Sequence, residues 1–531
     1  MERAARDVVV VGAGFAGLYA VHLCRSRGFT VEAIDVADGV GGTWYWNRYP
    51  GARCDVPSME YSFGFDDDLQ QEWEWTEKYA TQPEILRYLN HVADRFDLRP
   101  HLTLSTRVER CRFDQASQRW DVTASDGVTR SAQFLIMATG CLSAANVPDI
   151  AGRETFSGPI YHTGSWPHEG VDVQGQRVAV IGTGSSAVQS IPLLAEHAAH
   201  LTVFQRTPAY AVPAHNQPLE PAQVAAIKAD YRNWRTAARQ TSTGFGGHLR
   251  RDLTSALAVD DEQREAIYRQ RWSEGGLMFL GSFEDLMVNP DANQTAAEFV
   301  RGKIAELVDD PEVAANLSPD TIIGCKRMCV DTDYYVTYNR DNVSLVDVSE
   351  TPIEAITAEG LVVDGRTYSA DAIVFATGFD AMTGALDRID IRGADGTTLR
   401  DAWAEGPATY LGLQVAGFPN LFTITGPGSP SVLTNMVVAI EQHVEFVLDL
   451  ISELQRRGAQ RVEAAPDAQT DWVAYVNAVA AHTLFHGCSS WYLGANVPGK
   501  PRVFMPLPGF PDYRQICDQV VDDDYRGFIV G

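Results

Sequence analysis

Basic side chains are scarce in this 531-residue chain: 43 Lys and Arg stand against 69 Asp and Glu, a formal net charge of -26 at pH 7. So anionic a surface repels phosphate backbones and anionic headgroups, which excludes nucleic acid and anionic membranes as partners. Long apolar runs are also missing. No uninterrupted stretch approaches the roughly 18 to 20 residues that cross a bilayer, so no membrane partner and a cytoplasmic location are expected. The opening M-E-R-A-A-R-D, followed by V-V-V-V-G-A-G, pairs a basic start with an apolar run. Its patterned glycines, and the lack of a small-residue cleavage pattern, favour a buried strand over a signal peptide. Eight cysteines are scattered over the chain without the density of a secreted disulfide scaffold, so reduced thiols are expected. Cys325 and Cys329 have no second Cys or His pair at structural-zinc spacing, and no metal site is expected. What remains, 45% hydrophobic and 21% charged, is an ordinary globular composition. The length suits about two to four domains. It leaves the oligomeric state open, and a monomer is compatible with it.

Two glycine signatures stand out. Residues 7–11 hold four valines bounded by a charge and a glycine, a pattern of a parallel strand buried on both faces. Gly12, Gly14 and Gly17 then turn the chain into a helix whose N-terminal N–H groups suit a pyrophosphate. A second strand over residues 29–35 ends in Asp35, placed to accept hydrogen bonds from ribose hydroxyls. Together, strand, glycines, helix and terminal acid specify a dinucleotide fold far better than the glycines alone. Downstream, residues 177–181 lead into G-T-G-S-S-A with Gly182, Gly184, Ser185 and Ala187. Where the first unit has Asp35, this one has Arg206 and Thr207. An acid repels a 2'-phosphate and a guanidinium binds it, so the second cofactor reads as NADPH.

An internal repeat supports two similar halves. D-G-V-T-R-S-A-Q-F-L-I-M-A-T-G ends at Gly140 and D-G-R-T-Y-S-A-D-A-I-V-F-A-T-G at Gly378, each an Asp-Gly turn feeding strands that close the unit. The second half is longer because residues 217–325 are patterned mainly as helices, opened by Pro221. Within that insertion S-T-G-F-G-G, residues 242–247, reads as mobile. The predicted class is α/β, with two Rossmann-like dinucleotide-binding domains, one for FAD and one for NADP, and a helical insertion in the latter. Its parts are 1–148 (FAD domain, first part), 149–216 (NADP domain, first part, with the connector), 217–325 (insertion), 326–379 (NADP domain, second part) and 380–531 (FAD domain, second part).

Between the signatures, residues 156–167 read F-S-G-P-I-Y-H-T-G-S-W-P. The spacing of Phe156, Gly158, His162, Trp166 and Pro167 resembles the fingerprint of the type I Baeyer-Villiger monooxygenases. Other stretches carry the same resemblance: G-G-T-W-Y-W-N-R-Y-P-G-A-R-C-D at 41–55, G-C-K-R-M-C-V-D-T-D-Y-Y at 324–335, and S-W-Y-L-G-A-N-V-P-G-K-P-R at 490–502. By that resemblance Thr43, Trp44 and Asp55 lie near the flavin, Lys326 holds the 2'-phosphate beside Arg206, and Arg327 stands at the flavin. Trp491 anchors a loop that closes on the nicotinamide. The resemblance also implies that Ser431, Val432 and Leu433 border substrate, and the tract Ser429–Leu433 is more similar to the phenylacetone and steroid branch than to the cyclohexanone branch.

The resemblance implies an NADPH- and O2-dependent enzyme that forms a C4a-peroxyflavin and converts a ketone to an ester or lactone, with sulfoxidation as a side activity. Arg327 would be the catalytic cation and Asp55 its orienting acid. The connector would act as a hinge. The nearest rival is an N- or S-oxygenating flavin monooxygenase, which lacks the Trp-Pro ending. A disulfide reductase would need a cysteine partner close to Cys54, and a non-enzymatic dinucleotide sensor would need neither Lys326 nor Arg327.

Overall fold

Four consecutive valines at 8–11 demand cover on both faces, and the computed structural model, which describes residues 4–248 and 254–531, supplies it on all sides. Three of them are fully buried and the fourth is 7% exposed. Their strand, Ala4–Val11, pairs in parallel with Val31–Ile34 on one side and Thr129–Met137 on the other. This sheet has eight strands, and its parallel run continues through Leu102–Thr103 at one end and Leu421–Thr423 at the other. Arg119–Ala124 and Val108–Asp114 extend it in antiparallel fashion. The Phe15–Ser26 helix packs on one face beside Met436–Arg457, a helix capped at its start by Asn435 and stopped by Gly458 in the left-handed region.

A second sheet has five parallel strands in the order Val343–Asp347, His200–Gln205, Arg177–Ile181, Ala372–Phe375 and Ile160–His162. Between Gln205 and Val343 the chain leaves the sheet for helices including Pro221–Ala229, Asp261–Glu274 and Pro290–Leu307. The chain thus crosses from the first sheet to the second and back, through residues 138–146 and 376–380.

Two expectations are corrected. Cys325 and Cys488 form a disulfide, although scattered cysteines suggest reduced thiols throughout. The remaining six are buried free thiols. Residues 242–247 are packed rather than loose: Phe245 is 5% exposed, Thr243 O accepts from Asn435 N, and Gly246 N donates to Glu60 Oε1. Their glycines serve close approach. A Cβ on Gly247 would sit 2.2 Å from the Ala237 carbonyl carbon.

Candidate active site

The first glycine cradle has no room for side chains. Gly12 has φ +117°, and a Cβ there would lie 2.3 Å from Ala138 O; one on Gly17 would lie 1.9 Å from Gly12 O. A Cβ on Gly14 would lie 3.3 Å from Gly42 Cα, so the backbone of residues 41–42 roofs the turn. Asp35 closes the strand, and its carboxylate accepts from Ala13 N at 2.7 Å and from Ala37 N at 2.9 Å, which fixes it while leaving lone pairs for hydroxyls. Burial raises its pKa, and those N–H groups pull it back. This cradle fits an adenosine diphosphate moiety. Thr43, exposed, opens the short Thr43–Trp46 helix, and Trp44 is buried with its indole N–H on the Tyr61 hydroxyl at 3.2 Å.

The second cradle is open. A Cβ on Gly182 would meet Ala376 O at 2.5 Å, but nothing lies within 4 Å of one on Gly184. Ser185 and Arg206 are exposed, and Thr207 is half-buried, its carbonyl held by Thr183 Oγ1 at 2.8 Å. Lys326 lies close enough to Arg206 to feel its charge. Burial first, and Arg206 second, push the Lys326 ammonium below the usual lysine range. Among the described residues neither cation has a carboxylate partner within salt-bridge range. Two facing cations fit the 2'-phosphate of NADP.

Between the cradles stands an ion pair from distant parts of the chain. Arg327 Nε donates to Asp55 Oδ2 and Nη2 to Asp55 Oδ1, both at 2.7 Å, while Nη1 donates to Val432 O at 3.0 Å. Burial opposes the guanidinium charge, but the Asp55 carboxylate outweighs it and raises the Arg327 pKa. The pair is three-quarters shielded, with side chains 25% and 22% exposed. Tyr492, which the sequence does not single out, sets its hydroxyl against the same guanidinium; burial pushes it up to about 12, with Arg327 lowering it. The only sequence signal for Tyr492 is its place beside Trp491, with which it makes ring contact at 4.2 Å. Ser431, in the left-handed region at φ +43°, turns its hydroxyl inward to Thr425 O at 3.2 Å, whereas Val432 reaches Arg327 through its backbone and Leu433 is half-buried.

The connector lies where the two crossings meet. Phe156 packs under the second sheet, and a Cβ on Gly158 would lie 2.2 Å from Asp371 O. Trp166 is 3% exposed in the core of the second unit, followed by half-buried Pro167. His162 Nδ1 accepts from Gly164 N at 2.9 Å, which leaves its proton on Nε2, 3.4 Å from Thr377 Oγ1. Thr377 Oγ1 in turn donates to Asn146 O at 2.6 Å. One imidazole therefore touches both crossings. A further joint, unanticipated from sequence, is Gln189, which accepts from the Tyr49 hydroxyl at 2.8 Å and donates to Arg53 O at 3.1 Å.

A pyridine nucleotide-disulphide oxidoreductase family model matches residues 9–243. A Baeyer-Villiger monooxygenase of Pseudooceanicola batsensis is 42% identical, covering 98% of this chain and 96% of its own. Among solved structures, an oxidised steroid monooxygenase bound to NADP superposes with a TM-score of 0.94 at 52% identity, covering 99% of each chain. A closed cyclohexanone monooxygenase gives 0.97 at 44% identity, covering 100% of each. This chain, with its roofed and its open glycine cradle and the Arg327–Asp55 pair, belongs to the FAD- and NADP-dependent Baeyer-Villiger monooxygenases.

Proposed function

We propose that this enzyme uses NADPH and O2 to convert ketones to esters or lactones, with Arg327 as the catalytic cation and Asp55 as the residue that aims it. Bound FAD, reduced by NADPH, supplies the activation of oxygen. The chain supplies charge, orientation and exclusion of water. Arginine suits the task because its charge survives desolvation and its planar fork bonds an acid on one edge while another remains for a reacting oxygen. The observation that carries this reading is the bidentate Asp55–Arg327 pair, with Nη1 tied to Val432 O. Three of the side chain's donors are spent on fixing its plane, so the charge stays where it is needed without reorganisation.

On this reading Arg206 and Lys326 hold the 2'-phosphate and Trp491 covers the nicotinamide, while Val432 and Leu433 border the ketone. The test is product identification. Arg327→Ala should still accept hydride from NADPH, with ester formation down at least about a hundredfold, the loss typical of one preorganised stabilising group. Ester formation at the parent rate would remove Arg327 from the chemistry. A parent enzyme that oxygenates only amines or sulfides would remove the ketone assignment.

A further inference from the structure

The disulfide has a telling position. Cys325 immediately precedes Lys326 and Arg327, and Cys488 lies two residues before Ser490, whose Oγ accepts from Tyr492 N at 3.3 Å. One covalent bond across 163 residues therefore joins the segment that carries Arg327 to the segment that carries Trp491 and Tyr492. The far end of that C-terminal segment is held without covalent bonds. Lys500 Nζ pairs with Asp380 and donates to Ala381 O at 2.7 Å. Asn496 Nδ2 donates to Phe379 O at 2.6 Å, and Asn146 Nδ2 to Asn496 O at 3.0 Å. So the segment is stapled to the arginine at one end and to both interdomain crossings at the other.

We propose that Cys325–Cys488 is a thiol–disulfide modification site: the bridge holds the C-terminal segment closed over Arg327 and the open NADP cradle, and a low-molecular-weight thiol releases it. Accessibility directs the chemistry to this bond. The six other cysteines are buried, and buried thiols in apolar surroundings are inert. Cys325 is 4% exposed, but Cys488 is half-buried between exposed His486, Gly487 and Ser489. An incoming thiolate therefore attacks Cys488 Sγ. The S–S bond breaks, Cys325 leaves as a thiolate and takes a proton, and a second small thiol attacks the outer sulfur of the mixed disulfide and expels Cys488, which takes its proton, leaving two cysteine thiols and one small disulfide. In the reverse direction, hydrogen peroxide accepts two electrons and two protons from the cysteine pair and becomes two waters. A bridge between two separated segments restricts the chain more than any single hydrogen bond can, so its loss leaves the segment to non-covalent contacts such as those of Lys500, Asn496 and Tyr492.

The binding consequence rests on the NADP reading of the second cradle; the chemical state of the sulfurs does not. Protein purified without reductant is alkylated before and after glutathione treatment and mapped by peptide mass spectrometry. NADP+ affinity is measured in parallel by calorimetry on the flavin-loaded parent and on Cys488→Ser. The expected result is a linked 325–488 peptide pair that glutathione opens and peroxide restores, with the other six thiols alkylated only in denaturant. Reduction should weaken NADP+ about tenfold in the parent, to the level of Cys488→Ser, and leave the variant unchanged. Sulfurs that stay alkylatable after peroxide, or an affinity that reduction moves equally in parent and variant or not at all, overturn the proposal. A redox-dependent affinity in an enzyme that converts no ketone would overturn the proposed function and leave this one standing.

Discussion

The two glycine cradles share a motif but are finished differently. In the first, a Cβ on Gly14 would lie 3.3 Å from Gly42 Cα, and the backbone of residues 41–42 seals the turn; in the second, a Cβ on Gly184 would meet nothing within 4 Å, and Ser185 and Arg206 are exposed. The first ends its strand in a half-buried acid bound by two N–H groups, the second in an exposed guanidinium beside a half-buried lysine. A cofactor that remains through every turnover calls for the sealed version, and one that enters and leaves calls for the open one. The contrast lies in what packs over the turn, not in the turn.

Breaking the sealed cradle should have the largest effect. Gly17→Val places a Cβ 1.9 Å from Gly12 O, a backbone atom that cannot step aside. The expected outcome is protein without flavin absorbance and without activity. Gly184→Ala, in open space, should keep its flavin and change KM for NADPH by less than about threefold, because added methyl volume there clashes with nothing. Flavin loss in both variants, or in neither, would abolish the distinction.

Removing the guanidinium tests the open cradle more selectively. Arg206→Ala gives up charge-assisted hydrogen bonds of about 1.5–3 kcal/mol, so KM for NADPH should rise about tenfold to a hundredfold. KM for NADH should hold, and flavin content should be unchanged. Steady-state kinetics with both nucleotides checks this.

Much of that contrast is legible in sequence because its elements are local. The valine run, the glycine spacing, Asp35 and Arg206 each report on a few neighbouring residues, and the repeats at Gly140 and Gly378 reveal two similar units. Even there the copies diverge. The first repeat forms one continuous strand, Thr129–Met137, and the second breaks into Arg366–Ser369 and Ala372–Phe375, since each pairs with different neighbours. What pattern reading misses depends on contacts between distant segments. Spacing cannot pair Cys325 with Cys488, and nothing in S-W-Y-L-G distinguishes Tyr492 as the ring that reaches Arg327. The glycines of residues 242–247 read as mobility when their lack of a side chain serves tight packing against Ala237, Thr434 and Asn435.

Lys326 sharpens the comparison through pH. Burial and the Arg206 charge already place its ammonium below the usual lysine range of about 10.4, so it sheds its proton earlier on alkaline titration. KM for NADPH should therefore climb at a pH below that at which an ordinary lysine titrates, while flavin retention, which uses no lysine, stays level. Lys326→Arg should move the rise upward, since a guanidinium keeps its charge. An identical alkaline profile for parent and variant would take Lys326 off the phosphate.

The smallest effect concerns His162, beside the crossings that join the two units. His162 can accept from Gly164 N only while Nδ1 is unprotonated, and with Nε2–H directed at Thr377 it engages a residue that also holds Asn146 O. Burial keeps its pKa below the ordinary histidine range. The unfolded chain therefore takes up a proton near pH 6.5 that the folded one refuses, and stability falls as pH drops through that window toward the lower folded value. Above it both states are neutral and the term vanishes. His162→Gln keeps polar atoms but removes the titration, so this part of the acid sensitivity in thermal melts should disappear while flavin content holds. With the two crossings no longer tied by one ring, NADPH consumed per ester formed should rise about two- to fivefold, a shift of under about 1 kcal/mol. Unaltered coupling together with an unaltered acid profile would mean that His162 fills space and links nothing.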